Sequence, residues 1–267
     1  MRHAIAALML FVALSRVAFS QGGPPFRSDD PGTPGNGHWE INIAAIGEQN
    51  KLEGLYSLPN LDINYGAGGR IQLKYEMPFG VRATRDSRDH ITGGAGTSVA
   101  GVKYRFYEHR PPDEDEANFA LSMYPQLQFS TVPSSERRRI SDPAQLYLPL
   151  ECSARISPLL VSTEVGRWLS RRDVPGAWVE AVVIGREFSR RTELFTELYH
   201  RTEAGPNSVQ VHDLTISLGG RRTLDRGGSK RLIAMLGHSL LPSDSSGTRP
   251  EWVAYVGIQL LLSGKKN

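Results

Sequence analysis

The chain has a single cysteine, Cys152, so no disulfide can form within it. Cys152 sits among Leu150, Glu151 and Ser153 in an alternating run, and reads as a small packing residue rather than a nucleophile. Past residue 20 there is no long unbroken apolar stretch, which excludes a transmembrane helix. A large excess of one charge is missing too. The formal charge is +3 over 267 residues, and no basic stripe interleaved with aromatics points to nucleic acid. No helical period of useful length occurs, and no sequence repeat stands out.

Catalytic motifs are equally scarce. His38, His90, His109, His200, His212 and His238 all lie outside any Gly-x-Ser-x-Gly elbow. Gly237-His238-Ser239 puts His beside Ser, but neighbours on a strand point to opposite faces. Glu197 and His200 are three apart, an offset that also splits faces on a strand, and the His-Glu-x-x-His metal motif needs a helix. A membrane-embedded enzyme is therefore the weakest of three functional readings, and no cofactor or metal is implied.

What is present begins with an address. Met1-Arg2-His3 is followed by an apolar run from Ala4 to Leu14 and then Ala18-Phe19-Ser20. A basic start, a short apolar core and small residues before a cut predict a signal peptide over 1–20, removed near Gln21 after Sec-type export. Its apolar run is too short to span a bilayer, and Arg16 ends it. Cleavage takes away Arg2 and Arg16 and lowers the formal charge from +3 to +1. Residues 21–37 are dense in glycine and proline, which excludes helix and strand. Within this arm Arg27, Asp29 and Asp30 are candidates to pair with interior charges and plug a barrel. A solvated turn segment is the alternative.

From His38 onward the sequence reads in twos. Leu61, Ile63 and Tyr65 alternate with Asp62 and Asn64; after a glycine turn, Ile71, Leu73, Tyr75 and Met77 alternate with Gln72, Lys74 and Glu76. Two such runs and a short turn make a β-hairpin. Twelve runs follow this rhythm: His38–Ile46, Ser57–Tyr65, Arg70–Phe79, Ser98–Tyr107, Asn118–Phe129, Gln145–Ser153, Leu159–Leu169, Ala177–Phe188, Thr192–Arg201, Val209–Gly219, Lys230–Leu240 and Trp252–Leu262. Most have about the 9–11 residues that a tilted strand needs to cross a bilayer. A membrane barrel turns the apolar side to lipid and the charges to its lumen, whereas a soluble sandwich does the reverse.

The connections test the choice. Counted outward from the first strand, Gly80–Thr97, Ser130–Ala144, Ser170–Gly176 and Leu241–Glu251 face outside and are mostly long. Gly66–Gly69, Ala154–Pro158 and Ser189–Arg191 face inside and are short, as in outer-membrane barrels. Glu108–Ala117 and Gly220–Ser229 break the pattern by being long on the inside. Trp39, Trp168, Trp178 and Trp252 fall at strand ends, where an aromatic girdle lies. The expected fold is all-β: an antiparallel transmembrane barrel of about twelve strands over 38–267.

Gly23-Pro-Pro-Phe-Arg-Ser-Asp-Asp-Pro-Gly-Thr-Pro-Gly-Asn-Gly-His-Trp-Glu-Ile-Asn-Ile43 resembles the opening of a bacterial outer-membrane transporter-like family named for the meta-pathway of phenol degradation. Leu61–Gly66, Ile71–Pro78, Gly101–Phe106 and Tyr124–Phe129 resemble its later blocks in the same order. The resemblance implies an outer-membrane barrel associated with aromatic compounds, inserted by the barrel-assembly machinery. The ending, Leu260-Leu-Leu-Ser-Gly-Lys-Lys-Asn267, departs from the terminal aromatic residue of many such barrels.

The expected lumen carries Asp62, Asn64, Gln72, Lys74, Glu76, Lys103, Arg105, Gln126, Glu164, Glu180, Glu197 and Asp213. Ionised groups inside a barrel must be paired or wet. They either fill a closed structural or interaction barrel that displays its loops, or line a path for small, hydrophobic or aromatic solutes. In the outward loops Arg137, Arg138 and Arg139 are candidates to grip lipopolysaccharide phosphates, since guanidinium matches phosphate bidentately. A solvated charged loop is the alternative.

Overall fold

The computed structural model describes residues 23–85, 90–112, 118–130, 144–170, 176–204, 210–242 and 249–263. Every regular element among them is a strand. In chain order they are β1 (Trp39–Gln49), β2 (Glu53–Gly66), β3 (Ile71–Thr84), β4 (Ile91–Ala95), β5 (Thr97–His109), β6 (Phe119–Met123), β7 (Gln126–Ser130), β8 (Gln145–Ile156), β9 (Leu159–Ser170), β10 (Ala177–Ser189), β11 (Thr192–Ala204), β12 (Gln210–Thr223), β13 (Lys230–Ser239) and β14 (Trp252–Leu262).

These segments make twelve antiparallel crossings. β4 and β5 form one, interrupted at Gly96, where a side chain would press on Pro78. β6 and β7 form another, interrupted at Tyr124 and Pro125; Pro125 has no amide proton to give the ladder. Neighbours in sequence pair around the ring, and β1 pairs with β14 from Trp39↔Leu262 to Gln49↔Trp252, which closes the barrel. Closure leaves no free sheet edge of the kind an open sheet presents.

The period of two sorts the wall into two environments. Ile43, Leu73, Val102, Leu148, Val165 and Leu218 point outward and are exposed. Their polar neighbours point inward and are buried, an inversion of a soluble protein that matches a lipid-facing barrel. Trp39 lies on the outer surface at the end where β1 starts, and Trp178 and Trp252 lie there at the opposite end. Trp168 does not join them. It turns inward and stacks on Tyr147, ring centres 4.5 Å apart and 18° from parallel. Next to it Arg167, the one charge near the end of β9, turns outward onto Trp178, so the charge-inward rule failed there.

Three expected boundaries also move. β3 runs to Thr84 and β4 starts at Ile91, so the connection expected over Gly80–Thr97 shrinks to 85–90. β12 runs to Thr223, so the connection expected over Gly220–Ser229 becomes a turn over 224–229 and conforms to the short-turn end. The run Asn118–Phe129 is split by the Tyr124–Pro125 break.

Candidate functional site

The arm that precedes β1 is folded into the barrel. It enters at the end bearing the short turns, where the Gly37 amide donates to the Gly66 carbonyl at 2.8 Å. The Gly68 amide donates to Asn36 Oδ1 at 3.0 Å, and Thr33 Oγ1 to the Gly69 carbonyl at 3.2 Å. A Cβ added to Gly66 would fall on the Gly35 carbonyl, so the arm and the β2–β3 turn can approach this closely only because residue 66 is glycine. Deeper in, Ser28, Asp30 and Pro31 are buried against the wall.

Each polar residue at the arm's tip meets an interior charge. Arg27 Nη1 donates to Asp213 Oδ2 of β12 at 2.9 Å, and its guanidinium lies 4.0 Å above the Tyr199 ring. The Ser28 hydroxyl and amide both donate to Glu197 Oε1 of β11, at 2.7 and 3.0 Å. The Asp29 amide donates to Glu164 Oε2 of β9 at 2.9 Å. Lys103 of β5 is 1% exposed and donates to Asp29 Oδ1 at 2.8 Å and to the Asp30 carbonyl. Glu151 of β8 stands 3.4 Å from the same ammonium and accepts from Ser122 Oγ at 2.5 Å. An ammonium this deep needs such a ring of acceptors. Phe26 adds an apolar foot, edge-on to Phe195 and packed beside Ala44, Ile233, Met235, Val253 and Tyr255.

A second group of charges is paired within the wall. Lys74 of β3 stands 3.2 Å from Glu76 and 3.7 Å from Asp62 of β2. Asn42 Nδ2 donates to Asp62, Asn60 Nδ2 to Glu76, and Gln72 Nε2 to Asn64 at 2.8 Å and to the Tyr124 hydroxyl at 3.2 Å. Across β11 and β12, Arg221 Nε donates to Glu193 at 2.7 Å. Arg105 sits at the short-turn rim, 2.9 Å from Glu108, and donates to the Gly69 carbonyl at 2.6 Å. Gln126 faces inward beside Gly101. The Tyr147 hydroxyl donates to Glu164 at 2.5 Å.

Toward the opposite end the interior opens into a chamber of about 270 Å³. Ile46, Leu55 and Pro78 supply apolar surface, and Glu48, Arg82 and Gln128 supply polar groups. The mixture suits a small solute with an apolar body and a polar handle.

One expected lumen residue lies elsewhere. Glu180 points outward, its side chain 61% exposed, because β10 turns Ala177, Val179, Ala181 and Val183 inward. The outer face of that strand carries both Glu180 and Arg186 against an apolar inner face, the reverse of the rule by which charges were assigned to the lumen. His238 and Ser239 point to opposite faces: His238 meets Trp252 edge-on outside, and Ser239 is buried. Arg137, Arg138 and Arg139 lie outside the described residues, as do residues 1–22. Ser28, Tyr124, Tyr147 and Ser122 complete the network and carry no sequence signal of their own; a hydroxyl becomes telling only once its long-range partner is known. Among the described residues, no group of three or more His, Cys, Asp or Glu converges as a metal cage would.

No family profile matches the sequence, and no curated protein matches it. Solved structures do resemble the fold. An outer membrane channel from Pseudomonas putida F1 superposes with a TM-score of 0.66 at 12% identity, covering 88% of this chain and 100% of that one. The NanC porin gives 0.57 at 5% identity, with 82% and 98% covered. The KdgM porin gives 0.51 at 13% identity, with 82% and 98% covered. At such identities the likeness is one of fold.

Proposed function

We propose that this barrel is an outer-membrane channel for small, hydrophobic or aromatic molecules, held shut by its own N-terminal arm. The observation that carries the reading is where the interior charges find partners. Asp213, Glu197, Glu164 and Lys103 are matched to Arg27, Ser28 and Asp29 of the arm. A barrel meant to stay closed would pair its wall with itself. Withdrawing the arm leaves charged groups lining a path that water can fill, which is how such barrels conduct.

The fold likeness to a channel and to porins supports passage, and the sequence resemblance to the phenol-pathway family supports aromatic solutes. The chamber's apolar and polar lining agrees with both. Export by a Sec-type signal over 1–20, insertion by the barrel-assembly machinery and contact of Arg137–Arg139 with lipopolysaccharide belong to the same reading. Solute flux into proteoliposomes tests it. The refolded mature chain should admit phenol-like aromatics faster than sugars of similar size. Equal entry of both, or none above empty liposomes from folded protein with and without the arm, would overturn the assignment and leave a structural barrel.

A further inference from the structure

We infer that the outer wall carries a binding site for a divalent transition-metal ion, built from His200, His212 and Thr202 and oriented by Glu180. The strand register brings these residues together. Glu180 of β10 lies opposite His200 of β11, and Thr202 of β11 lies opposite His212 of β12. Their neighbours Glu197, Tyr199 and Asp213 are buried on the lumen side, so this set faces outward. It lies near the end bearing the longer connections, two strands along from Arg167, whose guanidinium rests on Trp178.

The geometry is that of one face of a coordination polyhedron. His200 Nε2 and His212 Nδ1 are 3.2 Å apart. Thr202 Oγ1 is 3.3 Å from the first and 3.2 Å from the second. Three donor atoms each about 2.0–2.1 Å from a tetrahedral ion stand roughly 3.3 Å from one another. The two imidazole planes are 2° from parallel with ring centres 5.5 Å apart, and the facing nitrogens are the atoms that approach.

Glu180 supplies the orienting partner. Its Oε2 lies 3.1 Å from His200 Nδ1. A carboxylate only accepts, so Nδ1 carries the proton and Nε2 keeps its lone pair toward the triangle. Carboxylate–imidazole–metal is the arrangement that fixes a ligating histidine's tautomer and ring angle. In a metal-free chain the His212 Nδ1–H donates to that lone pair; on loading, His212 carries its proton on Nε2 instead.

The donor set chooses the ion. Two imidazoles suit Ni²⁺, Cu²⁺ or Zn²⁺ and are poor for Mg²⁺ or Ca²⁺, which take oxygen ligands; the neutral Thr202 hydroxyl adds a weak third donor. With three protein donors at most, the remaining coordination positions open outward, since the His200 side chain is 31% exposed. Bound there, the ion ties β11 to β12. This site is independent of the channel reading, because none of its residues faces the lumen.

The test uses the tag-free mature chain, refolded in detergent micelles, titrated with Cu²⁺ alone and followed by electron paramagnetic resonance and calorimetry. One ion per chain should bind, with hyperfine structure from two nitrogens. His212→Ala should remove that signature. Glu180→Gln should keep the two-nitrogen signature and weaken binding about 10–100-fold, as loss of an orienting partner does. His109→Ala, at the far rim, should change neither. All four side chains lie on the outer surface, and intact barrel migration in gels checks that each variant folds. No saturable binding by the parent chain, or unchanged binding by a His200→Ala, His212→Ala double variant, would overturn the site.

Discussion

Two sets of charges share one lumen and are matched in different ways. Asp62, Lys74 and Glu76 sit on the adjacent strands β2 and β3, and Glu193 and Arg221 on β11 and β12. Those contacts form as the wall closes. Asp213, Glu197, Glu164 and Lys103 each take a partner from a segment that lies outside the ladder, and Lys103 and Glu164 hold Glu151 and Tyr147 of the wall as well. The first set is part of the barrel; the second belongs to the fit between the barrel and its N-terminal arm. In a dry core, losing the arm would strand charges at a cost of several kcal/mol each. On the proposed plug reading, water takes the arm's place in the lumen and the wall holds together with the arm in or out.

The largest effect should come from deleting residues 23–37. Ion flux should rise at least roughly tenfold while the barrel still folds, since the lumen groups become the lining of a water path. Lys103→Met should follow. It removes the ammonium that stands against both Asp29 and Glu151, so stability toward urea in lipid vesicles should fall by about 3–5 kcal/mol. Because Asp29 is on the arm, protease cleavage within 23–37 should also quicken.

Asp213→Asn should act more weakly. Arg27 keeps its place over Tyr199, and the pair is partly exposed, so about 1 kcal/mol and a few-fold rise in flux are expected. Glu193→Gln sharpens the comparison from the other side. It weakens a wall–wall pair and should lower urea resistance without raising flux. A rise in flux equal to that of Asp213→Asn would erase the distinction between the two sets.

The smallest effect lies outside the lumen. The Lys230 amide, then the Ser229 amide and hydroxyl, hold Asp225 down to about 2 in the β12–β13 turn. A depressed carboxylate stabilises the turn above the ordinary range and loses that contribution as pH falls through about 2. Amide exchange at Lys230 should accelerate in that window, and Asp225→Asn should remove the step.

Much of this wall was legible because each strand divides two unlike environments. Where one face is apolar and the other charged, as from Leu61 to Met77, alternation names both the strand and its sides. β10 shows the limit. Ala177, Val179, Ala181 and Val183 face inward while the charges Glu180 and Arg186 face outward, so the charge-inward rule put Glu180 on the wrong face. β4 was missed because Ile91-Thr-Gly-Gly-Ala95 has too few side chains to alternate. The arm's charges were visible, but their partners lie as far as 186 residues away, and periodicity carries no information at that distance. The His200–His212 triangle was hidden for a related reason. Its parts are on two strands, and only the register Thr202↔His212 brings them to one spot.

The most direct test of the central claim is single-channel conductance in planar lipid bilayers, comparing the full mature chain with one lacking residues 23–37. The account predicts a mostly closed chain that opens in rare, brief events, and a truncated chain that stays open. Equal, negligible conductance from both, with each shown to be a folded barrel, would contradict it: the arm would then be part of a permanent core rather than a plug.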